Sequence, residues 1–171
     1  MKSIVIYSSL TGNTKQVAEA ITSVLPADTP CVSMKELPSD LSSYDLVFAG
    51  FWVDKGTANK EARDVLGTLH NPHIALFATA GVPPQMAHAK ESLINAANCL
   101  PDGVEPVGTF ICQGKVDPKV IEMMYKMFPK GHSHGQSADR DARHKQAAVH
   151  PNEDDCKAAR DFAKDILTKL G

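Results

Sequence analysis

The sequence predicts an α/β protein, a doubly wound five-stranded parallel sheet with helices on both faces. Three observations predict it. Short β-branched and aromatic runs alternate five times with segments whose apolar residues recur every three or four positions. The strand runs are continuously apolar, as strands covered on both sides are. The turn behind the first strand crowds hydroxyls around one glycine where a helix begins, and open sheets of this kind bind ligands beyond the carboxyl ends of their strands.

The first strand is "SIVIY". Behind it, Val17, Ala18, Ile21, Val24 and Leu25 share one helix face. "PCVSM" is a weak second strand, and "YDLVFAGF" a strong third, ending at Gly50. "ANKEARDVLGTL" is a helix with Ala62, Val65, Leu66 and Leu69 on one side. "HIALFAT" is the fourth strand, "QMAHAKESLINAANCL" a helix, and "VEPVGTFICQG" the fifth strand. The last helix runs from about Asn152 to Leu170 and buries Cys156, Ala159, Phe162, Ala163, Ile166 and Leu170. Glu153, Asp154 and Asp155 in its first turn face the positive end of the helix dipole.

One segment breaks the rhythm. A connector at about 114–151 separates the fifth strand from the last helix, longer than connections usually are. It opens with "DPKVIEMMYKMF", where Asp117 can cap and Pro118 suits the first helical position. That helix is apolar on most sides and reads as core or lid, with methionines adaptable enough for docking. A polar stretch follows, with a short helix from Asp139 to Val149. No repeat appears, and 1–171 reads as a single domain.

Composition narrows the function. Apolar and charged shares of 43% and 22% are those of an ordinary globular protein. A net charge of -2 argues against a general nucleic-acid or membrane footprint. No apolar run approaches the ~20 residues of a spanning helix. The opening "MKSIVIYSSLTG" is too short in its apolar part for a secretion signal. Cys31, Cys99, Cys112 and Cys156 form no CxxC pair and read as reduced thiols of a cytoplasmic protein. "GHSHG", even with His144 and His150, lacks the defined ligand set of a zinc site, so no metal is expected. No Ser-His-Asp or Cys-His arrangement can be placed, so no catalytic residue is assigned.

The chemistry lies in "YSSLTGNTKQVAEAI", from Tyr7 to Ile21. Amides at a helix start lack intrahelical partners, and the dipole adds positive charge there. Ser9, Thr11 and Thr14 bring hydroxyls, and Gly12 lets the backbone curl close to a ligand. Such a turn cradles a phosphate dianion without a cationic side chain. The plainer reading is a well-capped helix whose hydroxyls satisfy their own backbone. Neither the Walker spacing nor G-x-G-x-x-G is present.

The stretch resembles the phosphate loop of the flavodoxin family, which binds flavin mononucleotide (FMN). The likeness rests on Val5, Ile6, Tyr7, Ser9, Gly12, Thr14, Ala18 and Ile21 at the family's spacing. It extends in strand order and loop placement to about Gly114, weakens through the connector and resumes at the last helix. It implies a flavodoxin-like sheet of order 2-1-3-4-5, with FMN as cofactor. Its phosphate would be held by Ser9, Leu10, Thr11, Gly12, Asn13 and Thr14.

The resemblance also places the flavin ring between the turns after the third and fourth strands. The first, "GFWVDKGTAN", holds the only tryptophan, Trp52, beside Phe51; either can stack on or edge a flat ring. Val53, Lys55 and Gly56 follow as further contacts. Family members often carry a small residue where Val53 and Asp54 stand, so redox-linked peptide flipping is not assigned. The second turn, "TAGVPPQ", offers backbone groups of Thr79, Ala80, Gly81 and Val82 to the pyrimidine edge. It lacks the tyrosine many relatives place there. Either one ring face is open to a partner or substrate, or Met86, Met124 or Tyr125 covers it. Gln113, at the end of the fifth strand, either touches the ring or begins the connector.

The resemblance implies an electron-transfer protein passing electrons between a reductase and an acceptor. The phosphate charge and a poorly solvated ring would disfavour further negative charge on the reduced flavin and lower its potential, with Lys55 working against this. The alternative is an FMN-dependent oxidoreductase, or its dedicated redox subunit, reducing a small molecule at an open flavin face. Fold alone does not choose between them. The nearly neutral chain lacks the acidic surface many flavodoxins use for docking, which favours a dedicated partner over a general carrier.

Overall fold

A computed structural model describes all residues from Met1 to Gly171. The parallel sheet is laid down from its middle outwards. β1 (Ser3–Tyr7) leads through α1 (Asn13–Thr22) to the edge strand β2 (Cys31–Ser33). The chain then crosses to β3 (Leu46–Asp54) on the other side of β1. A short antiparallel strand β4 (Thr57–Ala58) and helix α2 (Lys60–Leu66) precede β5 (His73–Ala80). α3 (Ala87–Ala97) returns the chain to β6 (Gly108–Gln113). The order is β2-β1-β3-β5-β6, with β4 paired to β3 off this path. This is the expected 2-1-3-4-5 order plus one extra strand.

Period-two alternation divides the core into two layers. Ile4, Ile6, Val47, Ala49, Phe51 and Leu76 point into the layer that also takes Ala62 and Leu66 from α2. Val5, Leu46, Phe48, Ala75 and Phe77 point the other way, onto Val17 and Ile21 of α1 and Ala159, Ala163 and Ile166 of α6 (Glu153–Leu170). Burial on both faces explains the unbroken apolar runs. Asn152 caps α6 in a reciprocal box with Asp155, so one acid of the first turn serves the cap as well as the helix dipole.

Two boundaries differ from expectation. The third strand does not end at Gly50; it continues to Asp54 and folds back as a hairpin, pairing Val53 with Ala58 and Asp54 with Thr57. Its two-residue turn places Lys55 at φ 50° and Gly56 at φ 78°, the left-handed pair of a type I′ turn. Lys-Gly is not the usual Asn-Gly signal for such a turn. Lysine tolerates positive φ less well than asparagine. Lys55→Asn is therefore expected to raise apoprotein stability by up to ~1 kcal/mol in urea unfolding; a loss would place the strain elsewhere. The fifth strand begins at Gly108 rather than at Val104, because Pro106 has no N–H to give a ladder.

The connector forms α4 (Pro118–Met127) and α5 (Ala138–Ala147), the latter close to the expected 139–149 helix. Asp117 caps α4 by accepting from the Lys119 amide at 2.8 Å. α4 buries no residue, so it is not part of the core. Ile121, Tyr125 and Phe128 lie on one side of it, and the Tyr125 hydroxyl bonds the Asp141 carboxylate at 3.0 Å and His144 Nδ1 at 3.1 Å. The Lys115 amide donates to the His150 carbonyl at 2.9 Å, closing the excursion at its base. No group of three or more His, Cys, Asp or Glu is placed to hold a metal, and all four cysteines are free thiols. No helix is long and apolar enough to cross a membrane.

Candidate functional site

The turn from β1 into α1 carries the strongest local chemistry. Gly12 is the α1 N-cap at φ 92°, and a Cβ there would meet nothing within 4 Å. The Ser9 hydroxyl accepts from the amides of Gly12 at 3.1 Å and Lys15 at 3.3 Å. Ser9 thus serves as a cap, with its own proton still available to donate. The amides of Leu10, Thr11, Asn13 and Thr14 have no acceptor within the protein. The first turn of α1 carries no acidic side chain. Unpartnered amides at a helix start with no competing carboxylate make an anion seat.

The hydroxyl of Thr14 does not point into that seat. It is buried at 1% exposure and shares a hydrogen bond with the Thr79 hydroxyl at 3.0 Å. This pair ties the first turn to the end of β5. Thr14→Val leaves the Thr79 hydroxyl unpaired, and a destabilisation of ~1–3 kcal/mol is expected in urea unfolding. Adding Thr79→Val should recover part of it, because loss of both partners costs less than loss of one. Full additivity of the two changes would show that the hydroxyls do not interact.

Asn13 makes a second tie. Its side-chain amide donates to the Lys115 carbonyl at 2.8 Å, and Gly114 is packed so closely that a Cβ would lie 2.8 Å from Asn13 Nδ2. A third link sits beneath the turn. Ser8 donates to the Glu61 carboxylate at 2.5 Å and accepts from Asn59 Nδ2 at 2.8 Å, holding the end of β1 to the start of α2.

A cleft of about 440 Å³ opens beside the anion seat, within the ~300–1,000 Å³ of small-molecule sites. Leu10, Thr11 and Asn13 line one end, and Trp52, Val53, Asp54 and Lys55 line another wall. Thr79, Ala80 and Gly81 bring in the end of β5, and Val116, Val120 and Met124 close the side formed by the connector. The carboxyl ends of β1, β3, β5 and β6 therefore converge on one space, and most of the residues singled out from the sequence meet there.

Some do not. Phe51 is fully buried among core residues of the α2 layer, so Trp52 is the aromatic that borders the cleft. Gln113 is 2% exposed and donates to the Gly81 carbonyl at 3.4 Å, a contact beneath the cleft wall. Ser9, Gly12, Gly56 and Val82 lie on the bordering turns without lining the space. Cys112 is buried, and burial pushes its thiol far above its ordinary pKa. Of the three side chains considered for the far side of the cleft, Met124 lines it; Met86 does not, and Tyr125 is turned to α5. Asp54, Gly114, Lys115, Val116, Asp117 and Val120 also border the space. Their position follows from the hairpin extension of β3 and from the fold-back of the connector, neither of which has a local signature.

A family model described as a flavodoxin domain matches residues 4–164. Flavodoxin-like domain-containing protein BilS of Clostridioides difficile is 36% identical over 99% of this chain and 98% of its own length. BilS of Clostridium symbiosum is 33% identical over 95% of this chain and 94% of its own. Among solved structures, a flavoprotein from Lactobacillus acidophilus in complex with FMN superposes with a TM-score of 0.52. It is 19% identical, over 65% of this chain and 93% of that one, a likeness of fold. With the family match running from β1 into α6 and the relatives aligned end to end, the chain belongs to the flavodoxin family.

Proposed function

We propose that this protein binds FMN in the cleft and passes electrons through it between a reductase and an acceptor. The observation that carries the reading is the set of unpartnered amides of Leu10, Thr11, Asn13 and Thr14, seated at one end of a cleft that Trp52 borders. The residues present fit the group. A phosphate dianion would complete four amides that otherwise lack acceptors, and Ser9 and Thr11 hydroxyls can add donors. The flat ring would lie toward Trp52, Val53 and Lys55 on one side and Thr79, Ala80 and Gly81 on another.

When bound, the flavin supplies one- and two-electron chemistry. The protein's part is to hold, orient and shield. The Thr14–Thr79 and Asn13–Lys115 bonds fix three turns relative to one another. Val116, Val120 and Met124 give the connector side of the cleft an apolar wall. The cleft's ionisable side chains are Asp54, Lys55, Lys115 and Asp117, and Asp117 is already committed to capping α4. No histidine, cysteine or tyrosine borders the space. A lining without a buried proton donor favours electron passage over reduction of a bound substrate.

Titration of apoprotein with FMN tests the reading: fluorescence quenching with a saturable stoichiometry is expected. The holoprotein should consume NADH and NADPH slowly alone and rapidly once a separate reductase is added. Rapid consumption unaided would favour the oxidoreductase. Trp52→Ala should alter the bound flavin's absorbance or potential, and no change in either would remove the indole from the ring.

A further inference from the structure

We propose that the outward face of α4 and its flanking lysines form the docking surface for a small acidic redox protein. The proposal rests on the reading of the cleft as an FMN electron-transfer site. Val120, Met123, Met124 and Met127 recur at i, i+3, i+4 and i+7 and so share one face of α4. Tyr125 and Phe128, on a neighbouring face of the helix, are turned to the rest of the connector. Val120 and Met124 line the cleft, while Met123 and Met127 are 56% and 65% exposed. Leu10, on the anion-seat turn of the same cleft, is 61% exposed. An uncovered apolar stripe thus begins at the cleft wall and runs out along α4. Patches of this kind mark interaction sites, and unbranched methionines adapt to a partner's shape.

Charge selects the occupant. Residues 114–151 hold seven Lys and Arg against four Asp and Glu, whereas the remainder of the chain holds eleven against sixteen. Three of the four acids are committed within the connector: Asp117 caps α4, Glu122 pairs with Lys126, and Asp141 bonds Tyr125. Lys115, Lys119 and Lys130 have no carboxylate partner. The apolar stripe is therefore flanked on α4 and at its end by Lys119, Lys126 and Lys130, with Glu122 neutralised by Lys126, on a protein whose remaining residues are net acidic. A complementary partner presents an apolar centre inside an acidic rim, with its own redox group near that surface. The rim would steer such a partner to the cleft edge and repel basic ones.

The test uses FMN-loaded protein, labelled on methionine methyls and backbone amides, titrated with zinc-substituted rubredoxin. That probe is small and acidic, and cannot exchange electrons. Shifts at the Met123 and Met127 methyls and the Leu10 amide are expected. Affinity should weaken about tenfold between roughly 20 and 200 mM salt. Lys119→Glu with Lys130→Glu should weaken the probe at least tenfold and leave FMN affinity unchanged. Shifts on another face, or none up to millimolar probe, overturn the proposal. So does preferential binding of basic ferrocytochrome c, or a dimer at low salt that moves the same methyls without probe. FMN affinity is measured separately: protein that binds FMN but not the probe refutes the docking surface alone, and protein that binds no FMN refutes the electron-transfer reading.

Discussion

Apoprotein titrated with riboflavin is expected to bind at least about a hundredfold more weakly than with FMN, since each charge-assisted bond to the phosphate contributes ~1.5–3 kcal/mol. The two ligands differ only in the phosphate. That group would meet the free amides of Leu10, Thr11, Asn13 and Thr14 at the start of α1, where the helix dipole adds positive potential. Two such bonds in full effect already amount to ~3–6 kcal/mol, or a hundred- to ten-thousandfold. Lys55 and Lys115 also line the cleft, and Lys115→Ala should lower FMN affinity less than loss of the amide contacts does. Thr11→Asp should therefore bring FMN affinity down toward that of riboflavin, and leave riboflavin itself nearly unaffected. Equal affinity of wild type for both flavins would unseat the phosphate from this turn.

Gly50→Val is expected to be the most destabilising single change, by about 3 kcal/mol or more, beyond the usual range for overpacking. Gly50 pairs in register with Phe77 across the two central strands. A Cβ built on it would stand 2.1 to 2.8 Å from three ring carbons of Phe77, which is itself fully buried. The ring cannot swing away, because Val17, Ala163 and Ile166 fill the same layer. Glycine is required here by a close approach, not by its backbone angles. Gly50→Ala should cost less than valine but remain clearly measurable in urea unfolding. Phe77→Leu in the alanine background should restore part of the loss. An unchanged midpoint for Gly50→Ala would mean that the Phe77 ring has space elsewhere.

The elements and the anion seat were legible for the same reason. Each depends on residues near in sequence: an apolar run, a 3.6-residue repeat, and a turn whose amides and hydroxyls are six consecutive positions from Ser9 to Thr14. Phe51 and Trp52 show where local reading thins out. Strand alternation sends Phe51 inward with Val47 and Ala49, but that parity applies only once β3 is known to continue past Gly50. The continuation rests on a Lys-Gly turn, and lysine at positive φ carries no sequence signal.

What the chain determines by itself is local: five strands, their helices, the acidic start of α6 and a hydroxyl-rich turn with free amides, each set by short-range hydrogen bonding and periodic burial. The tertiary structure alone decided which groups face one another. Thr14 meets Thr79, Asn13 meets Lys115, and Met124 rather than Met86 closes the cleft. These partners are 65 and 102 positions apart in the two hydrogen-bonded pairs. Contacts at such separation follow from strand order and from where a long connector folds back, and no periodicity within a short window encodes either.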